Sequence, residues 1–318
     1  MTSSNSQSSS DKSSNNKSSN SKSQWNALKE NIGVWYGSFE QYAPNGELVK
    51  DTPSVLTLAE ENEQTLALTL ERMPAGEPKK VNNLTFTYPG PAPYTYFFAS
   101  GAFSQGSSQW SSFGQFVTEF SMKVRDRRIR FVIAYDSTQS YTSALKYVTL
   151  ICETQEGGAQ FNKQSPNLQQ LSGAWQGEGE ILDPITGSFS PQKESIWMLL
   201  KPSEAAYALR CEEQVGESYA IDAVSVESTE NADGAAAVTT FESKNNAQQY
   251  QLMQLSKGAY CFLPKEIRQN DEFRIEVGWV SEQGERSRFI RYYDTRGVWT
   301  HSALIHDQQI KNEQTNIN

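Results

Sequence analysis

Few residues in this chain have the type and spacing that do chemistry, and the sharpest is Arg291. It lies in the run RSRFIRYYDT, Arg286–Thr295. In a strand, alternate residues share a face, so Ser287, Phe289, Arg291 and Tyr293 stand together. A kindred run, RIRFVIAYDS at Arg128–Ser137, puts Ile129, Phe131, Ile133 and Tyr135 on the matching face, and Arg291 takes the place of Ile133. If that apolar stripe lines an interior, a guanidinium there is costly unless paired. A ligand carboxylate would pair it in bidentate fashion, with Tyr293 as second donor and Phe289, Tyr260 and Trp279 as aromatic lining. A one-residue bulge would turn Arg291 outward instead.

The other candidates point to structure. Glu119 and Glu276 alternate against Phe120 and Met122, and against Phe273, Ile275, Val277 and Trp279, so they fall opposite the apolar stripe. With that stripe as lumen, both carboxylates face solvent. Asp136 and Asp294 follow Tyr in YDS and YDT and fit turn caps. Cys152, Cys211 and Cys261 are odd in number, without a CxxC, and suggest neither a disulfide framework nor a zinc site; none has a nearby basic motif to make a thiolate. His301 and His306 fall on opposite faces of a strand, so a shared metal site is not expected. No phosphate loop or nucleophile elbow is readable. No catalytic residue is assigned, and the chain reads as a non-enzyme.

The net charge is −9. The opening MTSSNSQSSSDKSSNNKSSNSKS holds Lys12, Lys17 and Lys22 against Asp11, which leaves 25 basic and 36 acidic residues in the body. A nucleic-acid surface needs surplus Lys and Arg, and so does an anionic membrane surface; neither partner is expected. No run of about 18 apolar residues suggests a membrane helix. Residues 1–23 lack the apolar core of a secretory signal and read as a disordered tail. With three unpaired thiols, a reducing cytoplasmic location is expected.

What must position Arg291 is a repeated frame. Gly33, Trp35 and Gly37 recur at Gly173, Trp175 and Gly177, each set followed by a Pro and a turn Gly: Pro44 and Gly46, Pro184 and Gly187. GAFS (Gly101–Ser104) faces GAYC (Gly258–Cys261), FVTEF (Phe116–Phe120) faces FRIEV (Phe273–Val277), and SAL (Ser143–Leu145) faces SAL (Ser302–Leu304). Collinear matches with a drifting offset mark an internal duplication, with extra residues between 200 and 258 in the second copy. Within each copy, short alternating runs recur every 8–12 residues between Gly, Asn, Pro and Asp, which predicts antiparallel barrels. Trp25 and Leu28, then Leu168 and Leu171, mark short helices before the Gly-x-Trp strands, placed to plug a barrel end. The expected layout is a tail at 1–23, a first barrel at 24–158 and a second at 166–311.

A first strand opening with Gly-x-Trp after a short helix is similar to the lipocalin and wider calycin signature, although the usual Thr-Asp-Tyr motif is not visible. That resemblance implies two tandem up-and-down barrels. It also implies an Arg from a late strand laid over each Trp: Arg130 or Arg128 over Trp35, and Arg288 or Arg286 over Trp175. The duplicated arrangement, with WYGSFEQYAPNGELVKDTPSVLTL at the front, more specifically resembles a cyanobacterial family of unknown function (domain of unknown function 3598) over residues 24–307. Related single-barrel proteins include S-type bilin lyases. The leading expectation is a soluble, non-enzymatic carrier of a small hydrophobic, carboxylate-bearing ligand (a tetrapyrrole, carotenoid or fatty-acid-like molecule) in the second lumen. The rivals are a lyase or isomerase acting on such a ligand, and an assembly protein whose barrels are filled by their own side chains.

Overall fold

A computed structural model describes residues 23–310 except 139–140, 159–160, 162–164, 167, 204–205, 216, 230–235, 245 and 282–283; almost all of the tail at 1–23 lies outside these. The fold is all-β. A helix α1 (residues 23–29) precedes β1 (Gly33–Tyr42), β2 (Leu48–Asn62), β3 (Thr65–Arg72), β4 (Lys80–Thr87), β5 (Tyr96–Phe97), β6 (Phe103–Gly106), β7 (Phe116–Val124), β8 (Arg127–Ser137) and β9 (Ser143–Gln155). A one-turn helix α2 (Leu168–Leu171) opens the second unit. It leads into β10 (Gly173–Asp183), β11 (Ser188–Ser203), β12 (Ala206–Val215), β13 (Glu217–Thr229), β14 (Ala237–Ser243), β15 (Gln249–Gln254), β16 (Ala259–Pro264), β17 (Glu266–Ile267), β18 (Phe273–Val280), β19 (Arg286–Tyr293) and β20 (Trp299–Gln309). Among the described residues no helix is long and apolar enough to cross a membrane.

The second unit is a closed antiparallel barrel, β10-β11-β12-β13-β14-β15-β16-β18-β19-β20. The first is not closed, contrary to expectation: its strands run β4-β3-β2-β1-β9-β8-β7-β6-β5 and stop. Register shows why. Met253 pairs with Cys261 as Tyr96 pairs with Ser104, so β15 corresponds to β5, and β13 corresponds to β4. The strand between them, β14, has no counterpart in the first unit. The extra residues of the second copy supply the closing strand.

The Gly-x-Trp-x-Gly signature has a local cause in both copies. Gly33 (φ 142°) and Gly173 (φ 106°) take the left-handed backbone that L residues avoid. This turns the chain from helix into strand. The Trp35 indole then donates to the Asn31 carbonyl (2.9 Å) and Trp175 to the Leu171 carbonyl (3.0 Å), each four residues back. A side chain on Gly37 would strike Glu153, and one on Gly177 would overlap Asp307. Both carboxylates matter below.

The two units pack face to face by equivalent surfaces. Phe116 corresponds to Phe273, and the two rings meet edge to face at 5.9 Å. Main-chain contacts are exchanged in pairs: Leu145 N–H bonds Lys265 O as Trp299 N–H bonds Ser108 O, and β17 pairs Glu266 with Ala144 as Gln109 pairs with Val298. The Tyr135 hydroxyl donates to Pro264 O (2.6 Å), and its counterpart Tyr293 reaches Ser107 O (3.5 Å). This is the self-complementary pattern of a two-fold dimer, realised within one chain. It also shows that the SAL match is accidental. Tyr135 pairs with Leu145 but Tyr293 pairs with Trp299, so Leu145 corresponds to Trp299 and not to Leu304.

The apolar stripe therefore does not line a lumen. Phe120, Ile129, Phe131, Ile133 and Tyr135 from one unit join Phe273, Ile275, Val277, Phe289 and Tyr293 from the other in a single buried cluster. The opposite, charge-bearing faces form the interiors. Alternation predicts two faces; it does not say which one turns inward when both are buried. Glu276 is fully buried and Glu119 largely so, where solvent was expected.

Candidate functional site

Each interior is built around an Arg pair, a Trp and two carboxylates. In the first unit Arg128 lies over Trp35, 4.4 Å from the ring centroid, and bonds Glu153 at 2.8 Å. Arg130, one pleat on, bonds Glu153 and Glu119, each at 2.9 Å. In the second, Arg286 sits between Trp175 and Trp197, 4.3 Å from each, and bonds Asp307 at 2.9 Å. Arg288 bonds Asp307 at 2.6 Å and the Ser195 hydroxyl, with Glu276 at 3.7 Å. Glu276 also bonds Arg274 at 2.8 Å. Of the paired candidates, then, Arg128 and Arg286 stack on the tryptophans, and Arg130 and Arg288 hold the carboxylates. Burial pushes the Glu153 and Asp307 carboxyls up, but the adjoining guanidiniums outweigh it and leave both below their ordinary range.

The second interior is full. Trp175, Trp197, Leu199, Tyr250, Tyr260 and Phe262 form one buried cluster, and Ile181, Ile290, Tyr292, Ala303 and Ile305 form another. Tyr260 is among them; its ring lies so close to Gly278 that any side chain there would overlap it. Burial raises its phenol well above its usual range.

Arg291, Tyr293 and Phe289 come together, but on the far side of the wall, between the units. Arg291 is fully buried. Its Nε donates to Ser104 Oγ (2.6 Å), and Nη1 donates to Ser107 O and to the Tyr293 hydroxyl (3.2 Å each). Its plane covers Trp299 at 3.7 Å. Tyr293 stacks on Phe273 at 4.6 Å, and Phe289 meets Phe98 and Phe120 edge-on. Burial drives the Arg291 pKa down, since its partners are neutral. The equivalent pair in the other unit is Ile133 with Cys261, both in the same apolar cluster. Arg291 and Ser104 are thus a polar substitute for an apolar contact across the interface. Trp279 stands apart at the edge of that interface, packed on Phe161 (5.7 Å) and Arg127 (5.5 Å). The thiols of Cys152 and Cys261 are buried and pushed upward. Asp294 does cap a turn, accepting from the Arg296 and Val298 amides at 2.9 Å, whereas Asp136 pairs with Lys146.

An open cup lies in the first unit, where sequence reading placed no site, and two further hollows flank the second, one beside Trp279 and one beside Arg286 and Asp307. A cup of about 370 Å³ is lined by Phe39, Val132, Tyr147, Thr52 and Thr149, with Lys50, Arg72 and Lys80 at its rim. Arg72 lies over Phe39 (5.9 Å) and bonds Asn82 at 2.9 Å; its buried Nε has no partner among the described residues. Glu77 pairs with Lys80 at 2.6 Å and Lys50 at 3.6 Å. The corresponding mouth of the second barrel is filled by Ile181, Ile290 and Ala303. No sequence signal marked the cup, because Lys50, Arg72 and Lys80 come from three strands with no shared spacing.

Residues 21–158 match the family described as the N-terminal domain of DUF3598, a domain of unknown function. The first part of the chain is thus similar to the DUF3598 family. A crystal structure of a DUF3598 protein of unknown function from Nostoc punctiforme is similar along nearly its whole length: 25% identity over 90% of this chain and 99% of that one, with a TM-score of 0.75. The second half, residues 162–310, matches a family described as the C-terminal domain of biogenesis factor required for ATP synthase 1. A solved chain from Bacteroides fragilis aligns over 89% of this chain and 99% of its own at 12% identity, but its TM-score of 0.24 carries no argument. No curated protein matches. The half that matches the DUF3598 domain thus holds the open cup, and the half resembling the biogenesis factor holds the filled barrel.

Proposed function

We propose that this protein is an assembly factor that works through its surfaces, in the biogenesis of a rotary ATP synthase or a complex of that kind. The observation that carries this is the second barrel's interior. Trp175, Trp197, Tyr260 and the Arg286–Asp307–Arg288 network occupy it, so it offers a cargo molecule no room. The same half resembles the C-terminal domain named for ATP synthase biogenesis. A rigid filled barrel is a sound platform for protein contact, because its buried charges are paired with one another inside it and need not rearrange on binding. Depleting the protein in its host should lower assembled ATP synthase on native gels while synthesis of the individual subunits continues. Normal levels of assembled enzyme would defeat the reading.

A second reading has one observation in its favour. The cup of the first unit, with Phe39 below and Lys50, Arg72 and Lys80 around it, suits a small amphipathic carboxylate. This moves the carrier expectation from the second barrel to the first. Equilibrium dialysis with 1-naphthoate and its neutral alcohol analogue tests it: the carrier reading needs the acid to bind and the alcohol to bind far less well.

A further inference from the structure

The first unit lacks one strand, and the two edges it leaves are treated differently. On the β5 edge, the Gln24 side chain of α1 substitutes for a strand: its amide donates to Phe97 O and its oxygen accepts from Phe97 N–H, both at 2.8 Å. The β4 edge has no such cover. Among the described residues β4 pairs only with β3. Unpaired strand edges invite pairing with another chain, and proteins usually blunt them.

The exposure of Leu84 measures the gap. Leu68 pairs with Leu84 as Leu209 pairs with Ala223, so Leu84 and Ala223 are equivalent inward-facing positions. Ala223, with β14 beside it, is 0% exposed, whereas Leu84 is 57% exposed. Replacing β14 by open space leaves an apolar side chain half in water. Below it on the same face, Leu70 pairs with Asn82 and Arg72 with Lys80, so the apolar slot runs into the basic rim of the cup. There the Arg72 Nε is buried and without a partner among the described residues.

We propose that the vacant strand position takes up an extended segment of a partner polypeptide, paired with β4, with an apolar residue over Leu84 and an acidic residue turned to Arg72 and Lys80. This rests on the assembly-factor reading and names its contact. Main-chain bonds to β4 would supply affinity, and alternate side chains entering the slot would supply selectivity. A chain as acidic as this one gathers Lys50, Arg72 and Lys80 at one end of the slot; Lys50 and Lys80 share Glu77, while Arg72 has no carboxylate partner among the described residues, which favours an acidic residue there. The chain's own residues 2–22 contain no apolar side chain to cover Leu84.

The test uses the full chain and overlapping peptides of about 12 residues tiling the ATP synthase subunits of its host. Binding is read by fluorescence anisotropy and by deuterium exchange at residues 81–87. The expected peptides alternate apolar residues and carry a carboxylate at one end. They should slow exchange at 81–87, and Leu84→Lys should weaken them roughly tenfold. Arg72→Gln should weaken them several-fold, an effect that vanishes when the peptide's acid is changed to its amide. Binding that protects other strands, or that ignores Leu84→Lys, overturns the proposal. So does slow exchange at 81–87 in the peptide-free chain that becomes fast on deleting residues 1–22, since the tail would then be the occupant. If depletion lowers assembled ATP synthase yet no peptide protects β4, the strand contact falls and the assembly reading stands.

Discussion

The two units share a register, a Trp–Arg stack and a packing face, and they differ by one strand. With β14 the second unit closes, and its interior is packed with rings and ion pairs. Without it the first unit keeps the same Arg pair and carboxylates at one end and opens into a basic cup at the other. The shared parts are those nearest the interface and the Gly-x-Trp turn, where each copy constrains the other. The divergent parts centre on β3, β4, β12 and β13, which contribute nothing to the shared cluster, whereas β5, β14 and β15 still reach it through Tyr96, Val238 and Met253. Duplication here preserved a dimer-like seam and left the far wall free to change.

The largest effect expected from perturbing this comparison lies in the closed unit. Asp307→Asn removes the carboxylate that bonds both Arg286 and Arg288 and should cost about 3–5 kcal/mol, the usual result of stranding a buried charge. Glu153→Gln in the open unit should cost less, because Arg130 keeps Glu119 at 2.9 Å. Denaturant melts of both variants check the order; equal losses would mean that closure does not deepen the burial that matters. Acid tests the same groups together. Glu153 and Asp307 have folded pKa values below their unfolded ones, so their stabilisation is fully present above the ordinary carboxylate range, near pH 4. It is lost as pH falls through the depressed values. The melting temperature should hold steady from neutral pH down to that range and then drop. In Glu153→Gln the acid-dependent drop should be smaller.

The seam offers the next effect. Ile133→Arg copies Arg291 into the equivalent position, where Cys261 stands in place of Ser104. It should destabilise by about 3 kcal/mol, since the guanidinium is buried with too few acceptors. Adding Cys261→Ser restores the hydroxyl that Arg291 uses at Ser104 and should recover about 1 kcal/mol. A double-mutant cycle with no coupling between 133 and 261 would show that the two-fold exchange of contacts is not energetic.

Much of this was legible in the sequence. The all-β class, the duplication and the short helices followed from Gly-x-Trp and from period-two runs, because those features are local, whereas the Arg over each Trp was implied by the calycin resemblance, which left open which Arg it is. The Arg291–Tyr293–Phe289 grouping was also right as a face. Its assignment to a lumen failed because Phe289 and Ile133 are as apolar as any barrel lining, and alternation cannot tell an interface from an interior. Glu276 was placed in solvent by the same logic; only the pairing with Arg274 and Arg288 reveals why a carboxylate can be buried there. The missing strand was hidden within an insertion visible only as length. The cup was hidden because its cations converge from β2, β3 and β4.

The smallest effect asks whether the first unit is open in isolation. Leu84→Ala removes a side chain that is 57% exposed, so little buried area is lost and the cost should be about 0.5 kcal/mol or less, as for other surface changes. Leu209→Ala, on the neighbouring strand of the closed unit and fully buried, removes the same atoms and should cost about 2–5 kcal/mol. Leu209 is the counterpart of Leu68, the direct neighbour of Leu84, so the contrast measures how far burial, complete in the closed unit and incomplete at the open edge, sets the cost. If Leu84→Ala proves as costly as Leu209→Ala, something already lies over β4 in the free protein. Melts repeated on a chain lacking residues 1–22 then decide whether that cover is the tail, because only in that case does the Leu84→Ala penalty shrink on truncation.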